Sequence, residues 1–141
     1  MQNEMLAPAA VLVAWTVVML FWMGFTRLPA LKRAGIDARN AEPGRRGSDL
    51  EGIIPAKTQW KAHNYNHLME QPTIFYALVV ILALAGAAQL DIWLAWAYVV
   101  LRVVHSIWQA TVNTIPVRLS LFTLSSIVLL VLAARSLMVT L

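Results

Sequence analysis

The chain has 141 residues, of which 60% are hydrophobic and only 13% charged, and its formal net charge is +4. Soluble globular proteins are about 45–50% apolar and about 25% charged, so this composition indicates a protein that lies in lipid. The small positive charge is not typical of a nucleic-acid-binding protein. Because there is no cysteine, a disulfide framework and a thiolate metal site are excluded. The length suits a single domain, residues 1–141.

Four stretches of the chain are apolar and long enough to cross a bilayer. A helix rises ~1.5 Å per residue, so about 20 residues span a hydrocarbon core of roughly 30 Å. In chain order the pattern predicts helices near 6–26, 58–88, 92–113 and 117–139. These runs do not alternate apolar and polar residues as the strands of a membrane barrel do. The predicted fold class is therefore all-α, an integral membrane four-helix bundle.

The connection between the first two predicted helices, 27–57, contains several prolines and glycines and is expected to be an irregular polar loop. Eight of the eleven basic residues lie between Arg27 and Lys61, whereas the connection between the second and third helices has none. Positive charge favours the cytoplasmic side of a membrane, so we expect this loop in the cytoplasm and both termini outside. Arg135, near the outer end of the last helix, argues weakly against this orientation and is expected to snorkel.

The predicted second helix begins with a polar stripe. His63, Asn66, His67 and Glu70 are spaced i, i+3, i+4 and i+7, which places them on one helical face. Pro72 lacks a backbone N–H and predicts a kink after the stripe.

A second polar stripe follows the third helix through Arg102, His105 and Gln109, and Arg118 begins the fourth helix. With this topology both stripes lie in the inner half of the bilayer. A lone charge at the bilayer centre costs about 2.5–3.5 kcal/mol on insertion scales, so Glu70 and Arg102 are expected to pair, within one subunit or across subunits.

Two interpretations of these stripes do not require the protein to bind an organic molecule. The polar groups could simply hold helices together, through interhelical hydrogen bonds of ~0.6 kcal/mol each. Alternatively, His63, His67 and Glu70 have the spacing of metal ligands on one helical face, and His105 could complete a metal site. Many intramembrane ionisable groups at one depth favour a functional site over helix association alone.

Two segments carry a resemblance to a known family. The first runs from Lys61 through His67 and Glu70 to Pro72. The second is Arg102-x-x-His105 followed by Gln109 and then Pro116-x-Arg118. Together they resemble the membrane-associated proteins in eicosanoid and glutathione metabolism, the MAPEG family, and specifically a bacterial-type member.

Some residues depart from the family's pattern. His67 aligns with an Asn of the family. Gln109 and Leu119 stand where the prostaglandin synthase branch has Tyr and Ser, so the eicosanoid reactions themselves are not expected.

The resemblance implies a homotrimer that binds glutathione between neighbouring subunits, in a bacterial inner membrane or an equivalent membrane. The glutathione contacts would be His63, Asn66, His67, Glu70, Arg102, His105 and Gln109. Arg118 would be the catalytic residue, stabilising the glutathione thiolate. Arginine and amide side chains also suit a doubly carboxylated peptide on chemical grounds.

Three functions follow as alternatives. The first is a membrane-embedded glutathione-dependent transferase or peroxidase that acts on lipophilic electrophiles arriving from the lipid bilayer. The second is a non-catalytic protein of the same fold that binds lipid or glutathione. The third is a metal-dependent membrane enzyme.

Overall fold

The computed structural model describes residues 1–141, and all of its regular structure is helical. The helices are α1 (Gln2–Arg33), α2 (Ala56–Glu70), α3 (Pro72–Ala85), α4 (Gln89–Thr111) and α5 (Ile115–Thr140). Because α2 and α3 form one span interrupted only at Gln71, four helices are long and apolar enough to cross a membrane. The predicted class, an all-α membrane protein with four spanning helices, is confirmed.

The first helix is longer than the sequence pattern predicts. It continues through Pro29 to Arg33, so the predicted start of the loop at residue 27 is wrong, and the connection to α2 occupies 34–55. Thirty-two residues make a helix of about 48 Å, well beyond a hydrocarbon core of roughly 30 Å. The last turns of α1 therefore extend out of the apolar layer, where basic residues are solvated without ending the helix.

The connection 34–55 is not wholly irregular. It contains two short 3₁₀ turns, Ala38–Asn40 and Gly47–Leu50. The side chain of Asp37 caps the first turn by accepting a hydrogen bond from the backbone N–H of Arg39. We refer to the end of the bundle that carries 34–55 as the loop end.

The predicted kink lies between Glu70 and Pro72. Gln71 keeps helical dihedral angles, φ −59° and ψ −41°, so the interruption is a missing hydrogen bond rather than a reversal of the chain. The Gln71 side chain accepts a hydrogen bond from the Tyr98 hydroxyl at 3.0 Å and donates one to Ser126 Oγ at 2.8 Å. These contacts join the interruption to α4 and α5.

The apolar core runs along the middle of the bundle. In α1 it is formed by Met5, Leu12 and Met19, which recur every seven residues and so lie on one face. Phe75 of α3 and Tyr98 of α4 stack with their ring centroids 4.4 Å apart. This stack joins α3 to α4, which packs chiefly against α5, α1 and α2.

An ion pair joins α4 and α5 at the end of the bundle opposite the loop end. The Asp91 carboxylate is completely buried, accepts a hydrogen bond from the Ala88 N–H at 2.8 Å and pairs with two guanidinium nitrogens of Arg135. Arg135 is therefore neutralised by Asp91. The pairing of Arg135 with Asp91 was not predicted, because no sequence pattern relates two residues 44 positions apart.

Candidate functional site

A polar pocket lies in the half of the bundle toward the loop end, between the second half of α2, the end of α4 and the start of α5. Its volume is about 390 Å³. It brings together five of the eight predicted site residues with three apolar side chains; the lining is His63, His67, His105, Gln109, Arg118, Ile115, Leu119 and Phe122. The lining thus combines a guanidinium, three imidazoles and an amide with three apolar side chains.

Two imidazoles stack at the centre of the pocket. The rings of His67 and His105 are 4.9 Å apart between centroids and tilted by 17°. Phe122 of α5 packs beside them, 5.5 Å from the His67 ring. The stack and the neighbouring Phe122 ring restrict the orientations of both imidazoles.

Arg102 lies behind this stack and is completely buried. Its Nη2 donates a hydrogen bond to Nδ1 of His67 at 2.8 Å and approaches the His67 carbonyl at 3.5 Å. Its Nε and Nη1 have no hydrogen-bond partner in the protein. Arg102 thus contacts the pocket through His67 rather than lining it.

The prediction that Glu70 and Arg102 pair within one subunit is wrong. Glu70 is exposed and forms no salt bridge in the chain, and Arg102 is completely buried. At 100° per residue, Glu70 lies about 60° around the helix from His67. His67 faces α4 and receives the guanidinium, whereas Glu70 points outward.

Arg118 is oriented by the turn between α4 and α5. Its Nη1 donates to Oδ1 of Asn113 at 2.6 Å. Asn113 has φ +56°, a left-handed conformation that Asn tolerates better than most residues, and its N–H bonds to the Trp108 carbonyl. The other guanidinium nitrogens of Arg118 have no partner in the chain, so they are free to bind a ligand.

His63 lies at the rim and contacts the connection 34–55. Its Nε2 is hydrogen-bonded to the carboxylate of Glu51. The His63 hydrogen bond holds the pKa of Glu51 below its usual range. His63 therefore connects the pocket to the loop.

A buried amide completes this connection. Gln59, 1% exposed, donates to the Gly47 carbonyl at 3.1 Å and to Glu51 Oε1 at 3.3 Å, and it accepts from Arg27 Nη2 at 3.1 Å. No sequence signal indicated Gln59 or Glu51, since a single Gln in a first helical turn is usually solvated.

The remaining predicted residues lie outside the pocket. Asn66 lines a neighbouring depression of about 420 Å³ between α1, α2 and the loop, together with Arg27 and Arg46. Glu70 is on the outer surface of α2.

The proposed metal-ligand set is not assembled. No three His, Asp or Glu side chains of residues 1–141 lie close enough together to hold a metal ion. His63 turns to Glu51 while His67 and His105 stack on each other.

The fold and the pocket define a class: a multi-pass integral membrane protein with a cationic, imidazole-lined cavity bordered by apolar side chains. The model of the MAPEG family matches residues 5–138, and the chain belongs to the MAPEG family. This confirms the family that the sequence motifs predicted. No curated protein and no solved structure matches the chain. The family in general includes glutathione transferases and peroxidases and eicosanoid synthases.

Proposed function

We propose that the protein is a glutathione-dependent transferase or peroxidase that acts on lipophilic electrophiles in the pocket between α2, α4 and α5. One observation carries the proposal. Arg118, with unpartnered guanidinium nitrogens, lines the same cavity as three imidazoles, an amide and three apolar side chains. A polar thiol peptide and an apolar cosubstrate can meet in such a cavity.

The chemistry of glutathione suits the polar side chains of the pocket. Its two carboxylates need cations or N–H donors, and its peptide groups need amide partners such as Gln109. A guanidinium close to the thiol favours the thiolate, whose free pKa is about 8.5, and so raises the nucleophile concentration at neutral pH. We assign this catalytic role to Arg118.

Two reactions are open to that thiolate. In conjugation, sulfur forms a bond to an electrophilic carbon and a leaving group departs with its electron pair. In peroxide reduction, sulfur attacks the O–O bond, and a second glutathione completes the disulfide and leaves an alcohol and water. The apolar side chains of Ile115, Leu119 and Phe122 would accept the lipophilic partner.

The outer surface of α2 supports the proposed homotrimer. Asn66 and Glu70 are exposed on a membrane-spanning helix, and a charge facing hydrocarbon costs about 2.5–3.5 kcal/mol. A second copy covering this face would remove that cost and bring Asn66 and Glu70 toward a shared glutathione site. With the loop end in the cytoplasm, as the basic residues of 27–61 favour, cytosolic glutathione would have direct access.

The test is turnover of glutathione with a generic aromatic electrophile by protein purified in detergent. Arg118→Ala should lower kcat by roughly 10²–10³-fold, because the charge acts on the developing thiolate, while the apparent glutathione constant changes less. Arg39→Ala is the matched control, because Arg39 is an arginine of the loop whose side chain is 88% exposed and does not line the pocket.

Other outcomes select between the alternatives. Protein that binds glutathione but shows no turnover, with or without Arg118, would be the non-catalytic binding protein. Activity that disappears with a chelator and returns with a metal would favour the metal-dependent enzyme instead.

A further inference from the structure

We infer that Arg102 is a positioning residue that fixes His67 in its Nε2–H tautomer and thereby makes His67 a hydrogen-bond donor to the ligand of the pocket. The inference rests on the proposed function only for the identity of that ligand as glutathione. The tautomer itself follows from contacts within the chain.

The direction of the Arg102–His67 hydrogen bond is fixed by chemistry. A guanidinium has five N–H donors and no acceptor. Because Nη2 of Arg102 lies 2.8 Å from Nδ1 of His67, Nδ1 must present its lone pair. A neutral imidazole carries one N–H, which is then on Nε2. A doubly protonated ring would set two donors against each other.

The contacts around His67 disfavour a flip of its imidazole ring. A flipped imidazole would place a carbon against the guanidinium and lose the hydrogen bond. His105 packs on one side of the His67 ring with a centroid distance of 4.9 Å, and Phe122 packs nearby at 5.5 Å. The stack and the guanidinium together hold Nδ1 inward.

The other ring nitrogen serves the pocket. Nε2 of His67 has no hydrogen-bond partner in the chain and is not among its buried unpartnered atoms, while His67 lines the cavity. With a proton on Nε2, His67 donates to a ligand and cannot act there as a base or a metal ligand. Together with Arg118 it selects an acceptor of negative charge, a carboxylate or a thiolate.

The burial of Arg102 is hard to explain by stability. Its guanidinium is completely buried, has no carboxylate within salt-bridge distance and leaves Nε and Nη1 without partners. A buried cation without a counter-ion is costly, and an apolar side chain of similar volume would usually be as good or better. The positioning of His67 explains why a charged side chain is buried here, whereas packing alone does not.

The experiment reads the tautomer directly. The chain has three histidines, so ¹⁵N-histidine-labelled protein gives few ring resonances, which His63→Gln and His105→Gln assign. In the wild type without glutathione we expect His67 to show an unprotonated Nδ1 and a protonated Nε2. Arg102→Lys, which keeps a donor, should retain that signature, and Arg102→Met should show both tautomers.

Glutathione binding is then measured on the same samples. Arg102→Met should raise the apparent glutathione constant roughly tenfold, the value of one hydrogen bond to a charged group, with a smaller change in kcat. Ser106→Ala is the matched control: it removes a buried polar group of the same helix, bonded to Trp15, and should leave the His67 signals and glutathione binding unchanged.

The outcomes are separable. An Nδ1–H signal for His67 in the wild type overturns the inference even if Arg102→Met does not fold. The expected tautomer with an unchanged glutathione constant in Arg102→Met overturns the positioning role. If the wild type has the expected tautomer but no affinity for glutathione, the proposed function fails and the assignment of His67 as a glutathione donor fails with it, while the Arg102–His67 contact is upheld.

Discussion

Gln59 joins three parts of the loop end through one amide. It bonds to Arg27 of α1 and to Gly47 and Glu51 of the loop. An unsatisfied buried amide costs about 1–3 kcal/mol, so each partner of Gln59 contributes to holding the loop against α2. Gly47 also lies directly against Arg27, since a Cβ atom added at Gly47 would lie 2.7 Å from Nη1 of Arg27.

Gly47→Ala is expected to destabilise the protein modestly, by about 1 kcal/mol, because the added methyl group pushes the Arg27 guanidinium away from Gln59. The matched control is Gly24→Ala, where nothing lies within 4 Å of the added Cβ and the helix favours Ala. Thermal unfolding in detergent should show a lower midpoint for the first variant and an equal or higher midpoint for the second. Equal midpoints for both variants would contradict the role of the Arg27–Gln59 contact.

The hydrogen bond from His63 to Glu51 predicts a pH dependence at the rim of the pocket. The bond holds the pKa of Glu51 below its usual range, so the folded carboxyl has a lower pKa than the unfolded one. Its stabilisation is complete above the unfolded value of about 4.3 and is lost as pH falls through the lowered folded value. Melting temperatures of wild type and Glu51→Gln should differ at neutral pH and converge in acid. Glu42→Gln, in the same loop, controls for net charge; a constant difference at all pH values would contradict the prediction.

The sequence predicts much of the pocket at the level of single residues, but not the partners within it. His67, His105, Gln109 and Arg118 lie together because their helical spacing and the antiparallel order of the helices require it. The partner of Arg102 was not predictable, since about 60° of helix rotation decides between Glu70 and His67. Spacing alone does not determine which edge of a polar stripe faces the neighbouring helix.

At the scale of helices, the Asp91–Arg135 pair is the strongest polar link between α4 and α5 away from the pocket. Arg135→Met should lower the melting temperature clearly, because it leaves the buried Asp91 carboxylate without its partner, and Asp91→Asn should lower it less, because Arg135 is partly exposed. The double variant should be less destabilised than the sum of the two. Thermal or denaturant unfolding measures the stability of the wild type, the two single variants and the double variant. Additive losses in this double-mutant cycle would mean that the two side chains do not interact.

The helices themselves follow from apolar length, whereas their ends do not. Each of the four spans was predictable because about 20 apolar residues in lipid have few alternatives to a helix. The end of α1 was misplaced because Pro29 and the nearby basic residues are typical of loops. Beyond the apolar layer, the position where the helix ends depends on helix propensity and on contacts with the loop, and hydropathy reports neither.

At the scale of the whole molecule, orientation and assembly remain predictions that the chain is well suited to test. It has no cysteine of its own, so a single Cys reports one position. A Cys at Arg45 should be labelled by an impermeant reagent only after the membrane is opened, and a Cys at Gln89, at the opposite end of the bundle, should be labelled in intact cells. The reverse pattern would invert the topology.

Assembly is tested by native mass spectrometry of protein released from detergent. We expect copies of the chain to associate, because Glu70 and Asn66 of α2 are exposed within the membrane, and we expect three copies because the family resemblance implies a trimer. Glu70→Leu should leave the monomer fold intact, since Glu70 has no ion pair within the chain. A mass corresponding to a monomer or dimer for the wild type would contradict the trimer.

The lining of the pocket has one further consequence, for damage by oxidants. None of its eight side chains contains sulfur, and the chain as a whole has no cysteine. A hydroperoxide that enters the cavity therefore meets no thiol or thioether of the protein itself. Sulfenic acids and mixed disulfides with glutathione, which inactivate many thiol proteins, cannot form on this chain. The only sulfur that such an oxidant could encounter in the pocket would be carried in by the cosubstrate and leave with it.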